Sequence, residues 1–352
     1  MQLSAEYQLH TAHTRPDLWD ALSDPSHPLN SAWPRFLDND LSQQYFANTI
    51  LKYNSLRRYQ IAITETSPAD GRQNMIAIGR SCPFFWPELD DLEDGVELAE
   101  NPETLHSLPD GGWDTIVARG IRQHLMREGL STQALPILTG DQERDILRTC
   151  QTTHKPNALS ALSITVVANK RGLGLAERLI ETMRQTARQE GLRVLVAPLR
   201  PTRKMEFPNV RMDEYLGWTN TRNTLASNLQ AAYRPAPVRY GPLPAGVNPN
   251  NKCGVPFDPW LRKHIRLGGG IAKVAPSSMV VQGSVADWHA WTGIDIQWVL
   301  QNTKAKDLQF DLVSKSWYTE IPLPGGLVPL KVFVREQKCV YIEPNVWIYH
   351  GI

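Results

Sequence analysis

The chain has four cysteines, Cys82, Cys150, Cys253 and Cys339, none in a C-x-x-C spacing, so neither a disulfide framework nor a cysteine metal site is expected. Isolated reduced thiols fit a cytoplasmic protein. No apolar run reaches membrane-spanning length, and Met1 to Glu6 has neither the basic region nor the apolar core of a secretory signal. There is no excess of one charge: 37 Lys and Arg against 36 Asp and Glu leave a formal net charge of +1, which argues against nucleic acid as a partner. The absence of Gly-x-x-x-x-Gly-Lys-Ser/Thr and Gly-x-Ser-x-Gly excludes a nucleotide P-loop and a serine elbow. No cysteine has a histidine neighbour in sequence, so no covalent intermediate is expected. The acidic run Glu88 to Glu100 lacks the spacing of a calcium loop and reads as a solvated surface.

What is present is concentrated between Ala158 and Leu199. Leu162 to Val167 alternates apolar and small polar residues with β-branched enrichment, as a half-buried strand does. Leu179, Ile180, Met183 and Ala187 then recur at helical spacing, with Glu181, Arg184 and Arg188 on the opposite face. Gly191 ends that helix and Leu192 to Ala197 reads as a second, mostly apolar strand. Between strand and helix lies Asn169-Lys170-Arg171-Gly172-Leu173-Gly174-Leu175-Ala176. The two glycines let a ligand approach the backbone, and the free amides at a helix start attract anions, so a phosphate or diphosphate is the natural guest. A dinucleotide site would need a small third residue where Glu177 stands and an acid after the second strand, where Ala197-Pro198-Leu199 stands.

This stretch resembles motif A of the GNAT (GCN5-related) N-acetyltransferases, Gln/Arg-x-x-Gly-x-Gly/Ala, with Asn169 at the first position and Gly172 and Gly174 in register. The resemblance implies an α/β GNAT fold, a mixed and mostly antiparallel sheet with a central splayed parallel pair and helices on both faces. It also implies acetyl-CoA or another acyl-CoA, without a metal, and a small-molecule amine acceptor for a monomer or homodimer. The diphosphate would rest on the amides of Lys170, Arg171, Gly172, Leu173, Gly174, Leu175 and Ala176, and the pantetheine arm near Val166 and Val167. Upstream, Tyr7–His10, two helical stretches, and strands over Arg58–Ile63 and Met75–Ser81 follow the family order. Downstream, Asp258 can cap a helix opened by Pro259 and ended at Gly268-Gly269, with strands expected over Ile271–Val274 and Ser278–Val281. The run Asp-Pro-Trp-Leu-Arg-x-His-x-Arg-Leu-Gly-Gly with Trp288 to Gly293 resembles a GNAT branch also found fused to nitrilase-type hydrolases.

The expected segments are 1–83 and 257–352, the two ends of one GNAT-like domain; 84–157, a helical insertion serving as lid or substrate wall; 158–218, the cofactor motif; and 219–256, a flexible loop. A terminal hairpin is expected over Leu327–Val334 and Cys339–Val346. Arg200, Arg203 and Lys204, at the carboxyl end of the second motif strand, are candidates for the nucleotide's 3′-phosphate or a substrate carboxylate, or simply face water.

Aligned on the family's late-helix Tyr-x-x-Leu-Gly-Phe, whose tyrosine is a general acid, Leu267-Gly268-Gly269 places His264 at the tyrosine. A histidine can transfer protons near neutrality, or can be a satisfied core residue. Tyr215, in Asp213 to Trp218, is the second candidate acid. The strand carboxylate of some members is replaced by Ser160, Ser163 and Thr165, which leaves His264, His154 or water relays to activate the amine. It also keeps decarboxylation, hydrolysis or plain binding of an acyl thioester as alternatives to transfer.

Overall fold

The computed structural model describes residues 7–93, 97–151, 153–224, 247–248 and 254–352. The start at Met1 to Glu6 and most of the 219–256 loop therefore lie outside the described residues. In chain order the elements are β1 (Tyr7–Thr11), α1 (Asp17–Asp20), α2 (Leu41–Tyr45), β2 (Gln60–Thr66) and β3 (Gln73–Phe84). Next come α3 (Pro87–Asp90), α4 (Pro102–His106), α5 (Gly112–Arg127) and α6 (Gly140–Thr149). The motif unit is β4 (Ala158–Val166), α7 (Leu175–Gln189) and β5 (Val194–Leu199), followed by α8 (Met212–Leu216). A small three-stranded sheet, β6 (Thr219–Thr224), β7 (Val247–Asn248) and β8 (Gly254–Pro256), precedes α9 (Pro259–Arg266). The chain then runs through β9 (Gly270–Ser284), α10 (Val285–Thr292), α11 (Ile296–Asn302), β10 (Gln309–Asp311), β11 (Ser316–Ile321), β12 (Leu330–Phe333) and β13 (Lys338–Gly351).

The main sheet runs β1-β2-β3-β4-β5-β13-β12-β11-β10, with β9 also on β13. Among the described residues only β4 and β5 pair in parallel; every other pairing in this sheet is antiparallel. On one face α7 buries Leu175, Leu179, Ile180, Met183 and Ala187. Met183 fits because Gly79 of β3 has no side chain; a Cβ there would sit 2.6 Å from its methyl carbon. On the other face lies α5, buried continuously from Gly112 to Leu125.

One expectation changes: residues 270–284 form one strand rather than two. The partner of β5 is β13, the second strand of the terminal hairpin, which lies in the sheet between β5 and β12. Within the segment 84–157, α5 packs directly on β3, β9 and β13. Burying α5 all round requires its charges to be neutralised, and Arg119, fully buried, forms an ion pair with Asp145 of α6.

At the start of α5 the carboxyls of Asp114 and Asp40 are both buried, each with one oxygen that has no partner among the described residues. Burial pushes Asp40 up to about 6 and, helped by Asp40 itself, holds Asp114 well above the usual carboxylate range. Both groups bind protons more tightly folded than unfolded. Their stabilisation is therefore complete below about pH 4 and declines as pH rises through 6. Asp114→Asn removes one of the two buried acids and keeps an acceptor for the Val280 amide. Relative to wild type, the variant should gain stability as pH rises from 5 to 8, because it lacks one of the two acids that must ionise while buried. Urea midpoints at both pH values measure this, and a difference independent of pH would contradict it.

Candidate active site

β4 and β5 pair only over Ala158/Val194, Leu159/Leu195 and Ser160/Val196. Beyond that they diverge, because β4 continues along β3 to Val166 while β5 continues along β13. The gap is a slot of about 60 Å³ lined by Leu162, Ser163 and Ile164 on one side and Ala197, Pro198 and Leu199 on the other, with Trp33, Arg200, Trp260 and His264 around it. Successive backbone groups of a strand point to opposite edges. Val167 gives its amide to the Ile76 carbonyl of β3, so the Val166 amide points toward the slot. Trp33 is fixed at the slot by its indole N–H, which donates to Thr165 Oγ1 at 3.2 Å.

At the carboxyl end of β4 the chain turns through Gly172 (φ 81°) and Gly174 (φ 78°), left-handed backbone that favours glycine. The amides of Lys170 and Arg171 are used within the turn, by the Val167 and Ala168 carbonyls. Those of Gly172, Leu173, Gly174, Leu175, Ala176 and Glu177 have no partner among the described residues. Residues 171–173 are exposed, and nothing lies within 4 Å of a Cβ built on Gly172. The free amides thus start two residues later than the sequence indicates and open to solvent at the positive end of α7.

Several candidate side chains are committed elsewhere. Lys170 is paired with Glu65 of β2, and Arg171 donates to the Val166 carbonyl at 3.3 Å. Arg203 pairs with Glu206, and the buried Lys204 donates to the Phe207 and Leu327 carbonyls. Arg200 reaches the slot, yet its Nε is 2.8 Å from buried Glu343 and its Nη2 donates to the Gly325 carbonyl, which ties it to the sheet. Tyr215 is buried away from the slot among Phe207, Trp218 and Phe257, its hydroxyl donating to Asp258 at 2.9 Å. Burial and that bond raise its pKa far above the usual phenol value, which disfavours an acid role. His154 is exposed and packs on Phe85.

His264 does reach the slot. Asp258 caps α9 by accepting from the Trp260 and Leu261 amides, and Pro259 opens the helix. His264 then falls on the buried face, its ring edge-on to Trp260 at 4.6 Å between centroids. Its Nδ1 lies 2.8 Å from His350 Nε2 of β13, while its Nε2 is buried without a protein partner among the described residues. Burial first, then His350 and Lys263, hold its pKa well below the ordinary value, so it is neutral at pH 7. His350 carried no signal in the sequence, because its partner lies 86 positions away.

No family model matches the chain. Arginine N-acetyltransferase avaD of Aspergillus versicolor is 30% identical over 354 residues, spanning 100% of this chain and 96% of that protein. The chain belongs to the GNAT N-acetyltransferases. Among solved structures, the loading GNATL domain of CurA from Lyngbya majuscula is 16% identical over 77% of this chain and 88% of that one, with a TM-score of 0.40. Drosophila melanogaster polyamine N-acetyltransferase is 15% identical over 65% of this chain and 91% of that one, with a TM-score of 0.28.

As a GNAT enzyme, the protein is an acyl-CoA-dependent N-acyltransferase acting on small amines. The parallel pair β4 and β5, open at one end, is the splayed pair expected from the sequence. No helix among the described residues is long and apolar enough to cross a membrane.

Proposed function

We propose that the protein transfers the acetyl group of acetyl-CoA to an amine of arginine or a similar cationic amino acid, by direct attack in a ternary complex. The observation that carries this reading is the slot between β4 and β5, with unpartnered amides at its outer end and His264 on its wall. The full-length relative, an arginine N-acetyltransferase, supports the choice of acceptor. The diphosphate would rest on the amides of Gly172 to Glu177, and the thioester carbonyl would accept from the slot-facing Val166 amide. The amine nitrogen attacks the carbonyl carbon, the carbon–sulfur bond breaks, and the proton lost by nitrogen goes to the thiolate. His264, neutral and with Nε2 unpartnered, can take that proton and return it. Buried, unpaired thiols at Cys82, Cys150 and Cys339 support a reducing compartment such as the cytoplasm.

Mass spectrometry of acetyl-CoA incubated with arginine, lysine or agmatine tests the reaction. Acetylated arginine formed in equal amount to free thiol is expected. Thiol release at the same rate without any amine would overturn transfer in favour of hydrolysis.

A further inference from the structure

We propose that His350 is a positioning residue for His264: by accepting the His264 Nδ1–H it fixes the tautomer in which the Nε2 lone pair faces the slot. This rests on the reading of His264 as the proton-transfer residue.

Two neutral imidazoles 2.8 Å apart can share only one hydrogen, so one ring must donate and the other accept. Both rings are almost fully buried, on elements that no local contact requires to meet: the last turn of α9 and the end of β13. Room is made for them at Gly269. A Cβ there would stand 2.7 Å from His350 Cε1 and 2.9 Å from the His264 carbonyl oxygen, so any larger residue would press on the His350 ring and on the end of α9. The pair leaves one polar atom at the slot, His264 Nε2, buried and unpartnered. If the Nδ1–H belongs to His264, Nε2 is a base. It takes the proton of the attacking amine, the ring is briefly an imidazolium hydrogen-bonded to His350, and the same proton passes to the departing sulfur. Starting from the neutral amine, this step neither gains nor loses a proton.

Burial first, and then the charges facing the pair, keep it neutral between turnovers. Lys263, paired with Glu177 of α7, lies next to His264 in sequence, and Arg184 of α7 faces His350, whose pKa is lowered to about 4, mostly by burial. With cations on both sides, the resting rings stay uncharged across the neutral range.

The test compares three variants by kcat and KM and reads the tautomer in wild type. His350→Phe keeps a planar ring but no acceptor, and kcat should fall by about 10- to 100-fold, as for other orienting partners of a working histidine, with KM for acetyl-CoA within about twofold. His350→Gln restores an acceptor oxygen and should recover most of the loss. Nitrogen-15 NMR of the histidine rings in wild type should show His264 protonated at Nδ1. Turnover by His350→Phe equal to wild type, with His264→Ala strongly impaired, would overturn the positioning role alone. Unimpaired His264→Ala would instead remove the reading on which it rests. Should His350→Phe fail to fold, the NMR decides: His264 protonated at Nε2 overturns the proposal.

Discussion

Replacing His264 by alanine should lower kcat by roughly 10²- to 10⁴-fold, the usual contribution of a positioned proton-transfer group. Among the described residues, the ring is the one titratable side chain at the slot with a free polar atom, because Arg200 is held by Glu343 and Gly325. Acetyl-CoA affinity should change little, since the amides at the start of α7 belong to another element. Stability should fall as well, because His350 Nε2 loses its partner in a buried site, a cost of about 1–3 kcal/mol. Steady-state kinetics beside a urea titration separates the effects. An unchanged kcat in a folded variant would assign His264 to the core.

Gly172→Glu should weaken acetyl-CoA binding by about 10²-fold or more, close to 3 kcal/mol. Two causes add. Any side chain at φ 81° is strained, by about 1–2 kcal/mol, so the turn relaxes away from the geometry that aims its amides. The new carboxylate also sits in the anion's place and repels it. Gly172→Ala carries the strain without the charge and should lose only a few-fold, while added salt should recover part of the loss in Gly172→Glu through screening. Because space around Gly172 is open, no overpacking contributes. Isothermal titration of the variants measures this, and wild-type affinity in Gly172→Glu would contradict it.

The parts of the site legible in the sequence are those specified locally. Gly172 and Gly174 mark left-handed backbone, the spacing of Leu179, Ile180, Met183 and Ala187 marks the buried face of α7, and Asp258-Pro259 marks the start of α9. What sequence reading missed depends on distant partners. Nothing near Val346 announces that it pairs with Leu199, so the place of the hairpin strand β13 in the sheet was not legible. Nothing local announces the burial of Arg119, because its neutralising Asp145 sits on another helix. Lys204 looked free for a phosphate, yet two carbonyls, one from residue 327, hold it. His350 is paired only through the fold.

Hydrogen exchange of the backbone amides with and without acetyl-CoA tests the central claim most directly. In the free protein Gly172 to Glu177 should exchange fast, since these amides have no partner among the described residues, and saturating acetyl-CoA should slow them more than any other exposed segment. Unchanged exchange there, with protection appearing elsewhere, would contradict the diphosphate cradle at the head of α7 and the acyl-CoA slot built upon it.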